Sequence, residues 1–314
     1  MNSGQHAAAW LHHVDGMSWL VLAPPDLPEG EVVVAAFSEK GAKATAERLG
    51  VTDTPGIVVG KVVSTGQKFI QSWEDLSLDI WGPRTGKSTS RVIPAILDAP
   101  GAVVSTSNKR DVVDGTRGVR ENTAPVWVFD PQKIAQEEPD WWWNPLSYVT
   151  DEEKAYQLTQ HFSVGSRVPG SKPDAYFDPK AEDILSSYFL AAALGELPIT
   201  QVYLWVTEQV SQEPIEILRE HDYELQYKGL ESTLKLADKQ RDGIFGTAEK
   251  MIQCLKSRNT LRWVAPTGGA IVGTDERRQF NPHAFAASQE TIYILSKEGA
   301  GSAAPLTTAL TVAI

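Results

Sequence analysis

One decapeptide restricts the fold more than any other part of the chain. Residues 81–90 read WGPRTGKSTS, and within them Gly82, Gly86, Lys87 and Ser88 occupy the fixed positions of the spacing G-x-x-x-x-G-K-[ST]. Just upstream, Leu76, Leu78 and Ile80 alternate with Ser77 and Asp79, which is the period of a strand with two unlike faces. Just downstream, no proline interrupts the chain from Lys87 to Ile93, and the pattern predicts a helix over roughly 87–97. A strand, a glycine-bearing turn and a helix in that order imply a right-handed crossover and a parallel sheet.

The spacing also carries chemistry. Glycine is wanted where the backbone takes a positive φ or passes close to an oxyanion. Main-chain N–H groups of this turn are expected to wrap the β-phosphate of a nucleotide, and the helix start adds a field that favours anions. Lys87 is expected to neutralise charge on the β- and γ-phosphates, Ser88 to ligate Mg²⁺, and Thr89 to stand beside the α-phosphate. The residues expected to bind ATP are therefore Gly82, Pro83, Arg84, Thr85, Gly86, Lys87, Ser88 and Thr89. Lys87 and Ser88 carry the catalytic roles, with Ser88 also the metal ligand.

Composition bounds the rest. With 314 residues, 42% hydrophobic and 22% charged, the chain can bury a large core as two units or as one elaborated α/β domain. A net charge of −11 argues against a surface that grips duplex nucleic acid along its whole face. The single Cys254 excludes an internal disulfide and a thiolate zinc cluster, and reads as a small buried core residue. No charge-free apolar run is long enough to span a bilayer, and MNSGQHAAAWLHHVDG lacks the basic start of a signal peptide. The chain by itself reads as soluble and cytoplasmic.

Four stretches differ in rhythm. Residues 1–55 are mixed. Residues 56–149 alternate strand and helix, with strands in GIVVGKVV, KFI, AVVST and VWVFD and a helix from about Asp111. Residues 150–261 carry apolar residues at three- and four-residue spacing and read as a helical insert. Residues 262–314 return to the sheet at ETIYILS and end in the helix-like PLTTALTVAI. The expected fold is α/β, a P-loop NTPase of RecA-like type, with a parallel sheet, helices on both faces and an inserted all-α domain.

Hydrolysis needs an acid at the end of a second buried strand, often beside a Glu that activates water. Asp130 ends VWVFD, but Pro131 follows it, so the residues favour a strand-end turn. Ser105 and Thr106 end AVVST without a carboxylate, and Ser296 ends TIYILS with Glu298 two residues on. No complete acid pair is found.

The ordered blocks GPRTGKSTSRVIPAIL, GAVVSTSNKRDV, TRGVRENTAPVWVFDPQ, WWWNPLSYV, DPKAEDILSSYFLAAAL and TIYILS resemble the TraG/TraD-type coupling proteins. These are the conjugative DNA transfer ATPases of type IV secretion systems, and TSNKRDV in place of Asp-Pro-Lys-Gly is closest to their actinobacterial branch. The resemblance runs from about Gly56 to the end. It implies an ATP- and Mg²⁺-dependent RecA-like motor with an all-α domain that touches cargo. It also implies a homo-oligomeric ring, usually hexameric, at the cytoplasmic side of the inner membrane, with DNA or a relaxase–DNA complex and the secretion channel as partners. Two departures stand out: the family's N-terminal transmembrane helices and its acidic hydrolysis motif are not found, the latter being expected beyond Ile314.

Other residues have an ordinary role beside a functional one. Asn108, Lys109 and Arg110 follow a strand end, where ligands gather in open α/β folds, or form a solvated loop. Trp141, Trp142 and Trp143 suit base stacking or, better, packing of a loop. Arg84 suits either a phosphate or, slightly better, an outward salt bridge, and His12 and His13, candidate metal ligands without a spaced acidic or Cys partner, are expected to lie in a tail. Arg117, Arg120, Arg277 and Arg278 are candidate arginine fingers whose default is a surface charge. Rival functions are a non-hydrolysing scaffold module, an FtsK-like duplex DNA pump and, least, a small-molecule kinase.

Overall fold

The computed structural model describes residues 8–14, 17–23, 39–51, 53–61, 68–82, 84–167, 170–267, 275–297 and 303–314. Pro83 and Glu298 lie outside the described residues. Contacts divide the chain into two units, Met1–Val103 with Asp114–Thr123, and Val104–Val113 with Ala124–Ile314.

The first unit contains an antiparallel hairpin of β1 (Ala8–Val14) and β2 (Met17–Ala23). Helix α1 (Glu39–Arg48) has an acid in its first turn and a base in its last, both suited to the helix dipole. It buries Ala42 and Ala46 and packs beside the second antiparallel hairpin, β3 (Ile57–Lys61) and β4 (Lys68–Gln71). After the glycine-bearing loop comes a π-helical turn, Ser88–Val92, which runs into α2 (Ile93–Leu97). The Ile93 N–H reaches five residues back to the Ser88 carbonyl. Pro94 accounts for the wide turn: it has no N–H for the Ser90 carbonyl, and in a regular α-helix its ring would strike that group.

The alternating residues 76–80 do not form the expected strand. Residues 75–82 have no regular secondary structure, and Leu76, Leu78 and Ile80 are 74%, 59% and 87% exposed. The period of two survives with its faces exchanged. Asp79, the half-buried residue of the five, and the exposed Ser77 bond to the guanidinium of Arg91, and the apolar positions are left outside.

Strand β5 (Val103–Ser107) and helix α3 (Asp111–Arg120) give residues to both units. In the second unit β6 (Val126–Phe129) leads to the two-residue strand β7 (Trp141–Trp142). Six helices follow: α4 (Glu152–Ser166), α5 (Phe177–Leu194), α6 (Ile199–Glu208), α7 (Glu213–Glu220), α8 (Glu224–Leu234) and α9 (Asp238–Met251). The chain continues through α10 (Arg258–Val264), β8 (Arg278–Gln279), α11 (Pro282–Ala286), β9 (Thr291–Leu295) and α12 (Ala304–Ala313).

The sheet order is β5-β9-β6, and β6 and β9 are parallel, with Val126 opposite Thr291 and Phe129 opposite Ile294. All five residues of β9 are buried, as a central strand with two covered faces requires. The helices surround α5, which packs against α4, α6, α7, α8 and α9 and buries Ile184, Leu185, Tyr188, Phe189 and Leu190. Asp151 caps α4 by accepting from the Lys154 N–H at 2.8 Å. Gly165 lets α12 close on α4, since a Cβ there would lie 2.7 Å from both the Cα and the N of Pro305. Cys254 is half-buried by residue, with its thiol shielded from water, and burial pushes its pKa up to about 12. No described helix is long and apolar enough to cross a membrane.

Candidate phosphate-binding loop

The loop between residues 82 and 89 closes on itself through its own side chains. Thr85 Oγ1 donates to the Gly82 carbonyl at 2.6 Å. Arg84 takes φ +59° and Gly86 φ +90°, so the backbone passes twice through the left-handed region that glycine enters at least strain. The Gly86 carbonyl then starts the helical turn, accepting from the Ser90 N–H at 2.8 Å and from Thr89 Oγ1 at 3.0 Å. The first N–H groups of a helix have no partner within it and are left to an anion or to water.

Lys87 stands at this helix start, exposed, and no described residue accepts a hydrogen bond from its ammonium. Ser88 is half-buried behind it, while Arg84, Thr85 and Thr89 are exposed. Arg84 has no ion-pair partner among the described residues, so the expected outward salt bridge is not formed. The residues present fit a polyphosphate: an exposed ammonium with no partner among the described residues, a hydroxyl next to it and the start of a helical turn, whose first N–H groups are the kind that accept an anion.

The loop's two stems meet at Arg91, one turn beyond Lys87. Sequence reasoning passed over this residue, an arginine directly before the apolar run VIPAIL, and over the acid inside LSLDI that it meets. Arg91 is 7% exposed. Its Nε donates to both Asp79 oxygens at 3.3 and 3.2 Å, and its Nη2 donates to Ser77 Oγ at 3.1 Å and to Gln71 Oε1.

Other residues singled out in the sequence take structural roles. Asp130 is fully buried at the end of β6, and its carboxylate accepts from the N–H groups of Ile134, Ala135 and Glu137 at 2.6, 2.8 and 3.3 Å. That is a strand-end turn with the acid consumed in holding it. Trp141, Trp142 and Trp143 are 2%, 1% and 0% exposed and offer no platform to a base. Trp141 lies 5.3 Å from Trp127, 5.4 Å from Trp263 and 5.6 Å from Phe280, mostly edge to face.

Of the four arginines, Arg278 is exposed as a surface charge would be, and Arg117 is half-exposed and pairs with Glu121 at 2.8 Å. Arg120 is buried and donates to the carbonyls of Ala99 and Gly101 at 2.8 and 3.0 Å. Arg277 clasps Asp275 at 2.6 Å and the Ala265 carbonyl at 3.0 Å, and Arg278 lies 4.5 Å over the Trp127 ring. Asn108, Lys109 and Arg110 form an exposed bend after β5. Ser105 and Thr106 lie within β5, Ser296 donates to Gln132 at 3.2 Å, and His12 and His13 fall in β1 and not in a tail.

The family model described as type IV secretory system conjugative DNA transfer matches residues 29–252. No curated protein matches the sequence.

Proposed function

The chain belongs to the type IV secretory system conjugative DNA transfer family, whose model covers well over half of it, and on that premise we propose that it is the nucleotide-binding part of a coupling protein. The loop from Gly82 to Thr89 holds ATP. Lys87 sets its ammonium against the β- and γ-phosphates, the outward amides face the β-phosphate, and the Ser88 hydroxyl holds Mg²⁺. When bound, ATP would supply the free energy of phosphoryl transfer. The chain's own part is to orient the triphosphate, screen its charge and tie that geometry to the rest of the unit. The fold around it is of the RecA-like type, and helices α4 to α9 form the body that meets cargo, DNA or a relaxase–DNA complex. The full protein works as a homo-oligomeric ring beside the secretion channel at the inner membrane.

One observation carries this reading: an exposed lysine without a partner among the described residues, placed at a helix start immediately after a glycine at φ +90°. Lys87→Ala is expected to weaken binding of a fluorescent ATP analogue by about 30-fold or more, as loss of a charge-assisted contact implies. Equal affinity in Lys87→Ala and wild type would overturn the site. Magnesium should tighten binding in wild type and much less in Ser88→Ala.

A further inference from the structure

We propose that Arg91 is a positioning residue that sets the shape of the phosphate loop by clamping its two stems together, an inference that rests on the nucleotide reading of that loop. Arg91 is not placed to touch the nucleotide. It lies on the π-helical turn that Lys87 opens, four residues further along. From there it reaches back across the loop to Ser77 and Asp79 on the incoming stem and to Gln71 at the end of β4.

Each partner is itself held. Gln71 is 3% exposed, and its Nε2 donates to the Asp75 carbonyl at 2.7 Å, which fixes the oxygen that Arg91 uses. The Ser72 N–H donates to the Asp75 carboxylate at 3.0 Å and closes the turn after β4. The result is a rigid footing beneath the loop, made of β4, the turn after it and the helical turn. Between these anchors the incoming stem has no strand partner, since residues 75–82 are outside any sheet. The guanidinium therefore does the work that sheet hydrogen bonds would otherwise do, fixing where the chain enters the loop.

Burying a guanidinium carries a cost that matched donors offset, and here Nε and Nη2 are matched while Nη1, buried without a partner among the described residues, leaves part of that cost standing. An arginine that served only packing would be replaced at lower energy by an apolar side chain. Its planar fork is what reaches three acceptors at once, and a lysine at this position could not span them.

The test is hydrogen–deuterium exchange on the nucleotide-free chain combined with titration of a fluorescent ATP analogue. Wild type, Arg91→Ala, Arg91→Lys, Asp79→Asn and Lys87→Ala are compared. Arg91→Ala is expected to raise exchange across residues 84–90 and to weaken ATP binding, each by roughly tenfold, with exchange in α4 and α5 unchanged. Arg91→Lys should recover part of both, and Asp79→Asn should reproduce the loss. Lys87→Ala should weaken binding without raising exchange.

If wild type binds ATP and Lys87→Ala does not, unchanged exchange and affinity in Arg91→Ala overturn the clamp alone. Exchange that rises equally in α4 and α5 overturns it too, since the residue would then be a general structural support. If wild type does not bind ATP, the nucleotide reading fails and the positioning role falls with it.

Discussion

Removing the Asp130 carboxylate should unfold protein before it disturbs chemistry. Asp130→Ala deprives three backbone N–H groups of their acceptor, two of them in short bonds of 2.6 and 2.8 Å and one in a weaker bond of 3.3 Å. A hydrogen bond to a charged group contributes about 1.5–3 kcal/mol, so the two short bonds alone imply a loss of about 3–6 kcal/mol. In a unit of this size that is a fall in Tm of about 6–20 °C. Asp130→Asn keeps one acceptor oxygen and should lose about half as much. Urea unfolding followed by helical circular dichroism measures both, with the midpoint falling and the slope unchanged. The contrary result is clear: an Asp130→Ala chain as stable as wild type that has lost only nucleotide turnover would make Asp130 a catalytic acid and refute the turn assignment.

Two other outcomes are expected. The Asp275 carboxyl is held well below its ordinary range, first by hydrogen bonds from the Arg277 side chain, against the opposing effect of burial, and further by the N–H groups of Arg277 and Thr267. A depressed acid stabilises the fold above its unfolded pKa of about 4 and loses that contribution as pH falls further. Asp275→Asn should therefore flatten the acid limb of the stability profile while lowering stability at neutral pH, and an unchanged acid limb would refute the assignment. Gly165→Ala should destabilise by about 1–3 kcal/mol, because its Cβ would meet Pro305 main-chain atoms at 2.7 Å and α12 would have to move. A denaturation midpoint equal to or above wild type would show that the two helices separate freely.

What could be read in advance depended on whether one local pattern had one structural solution. The helices did: Asp151 before EEKAYQ, and apolar residues at helical spacing through α5, allow little else. Strand β9 was legible for the same reason, as TIYIL is apolar throughout and short. The segment LSLDI was not, since alternation states that two faces differ without stating which is inside. Here a buried guanidinium took Ser77 and Asp79 as its partners and left the apolar positions outside. Helix α8 has the faintest signal of the insert, since ELQYKGLESTL has a weak apolar stripe with only Leu230 buried. The loop residues were found from spacing alone, but the clamp beneath them was not, because it depends on Gln71, Ser77, Asp79 and Arg91 converging in space.

The packed rings in the second unit have an optical consequence. Trp127, Trp141 and Trp263 lie within 5.3–5.4 Å of their nearest indole neighbour, in fixed and non-parallel orientations. Chromophores so close exchange excitation and couple their transitions, so the native chain should show a strong aromatic dichroic signature that vanishes on loosening of the packing. This signature originates among residues of the second unit, whereas Lys87 and Arg91 belong to the first. A variant of either residue can therefore be checked for an intact neighbour by light alone, in the same cuvette in which its ligand titration is read.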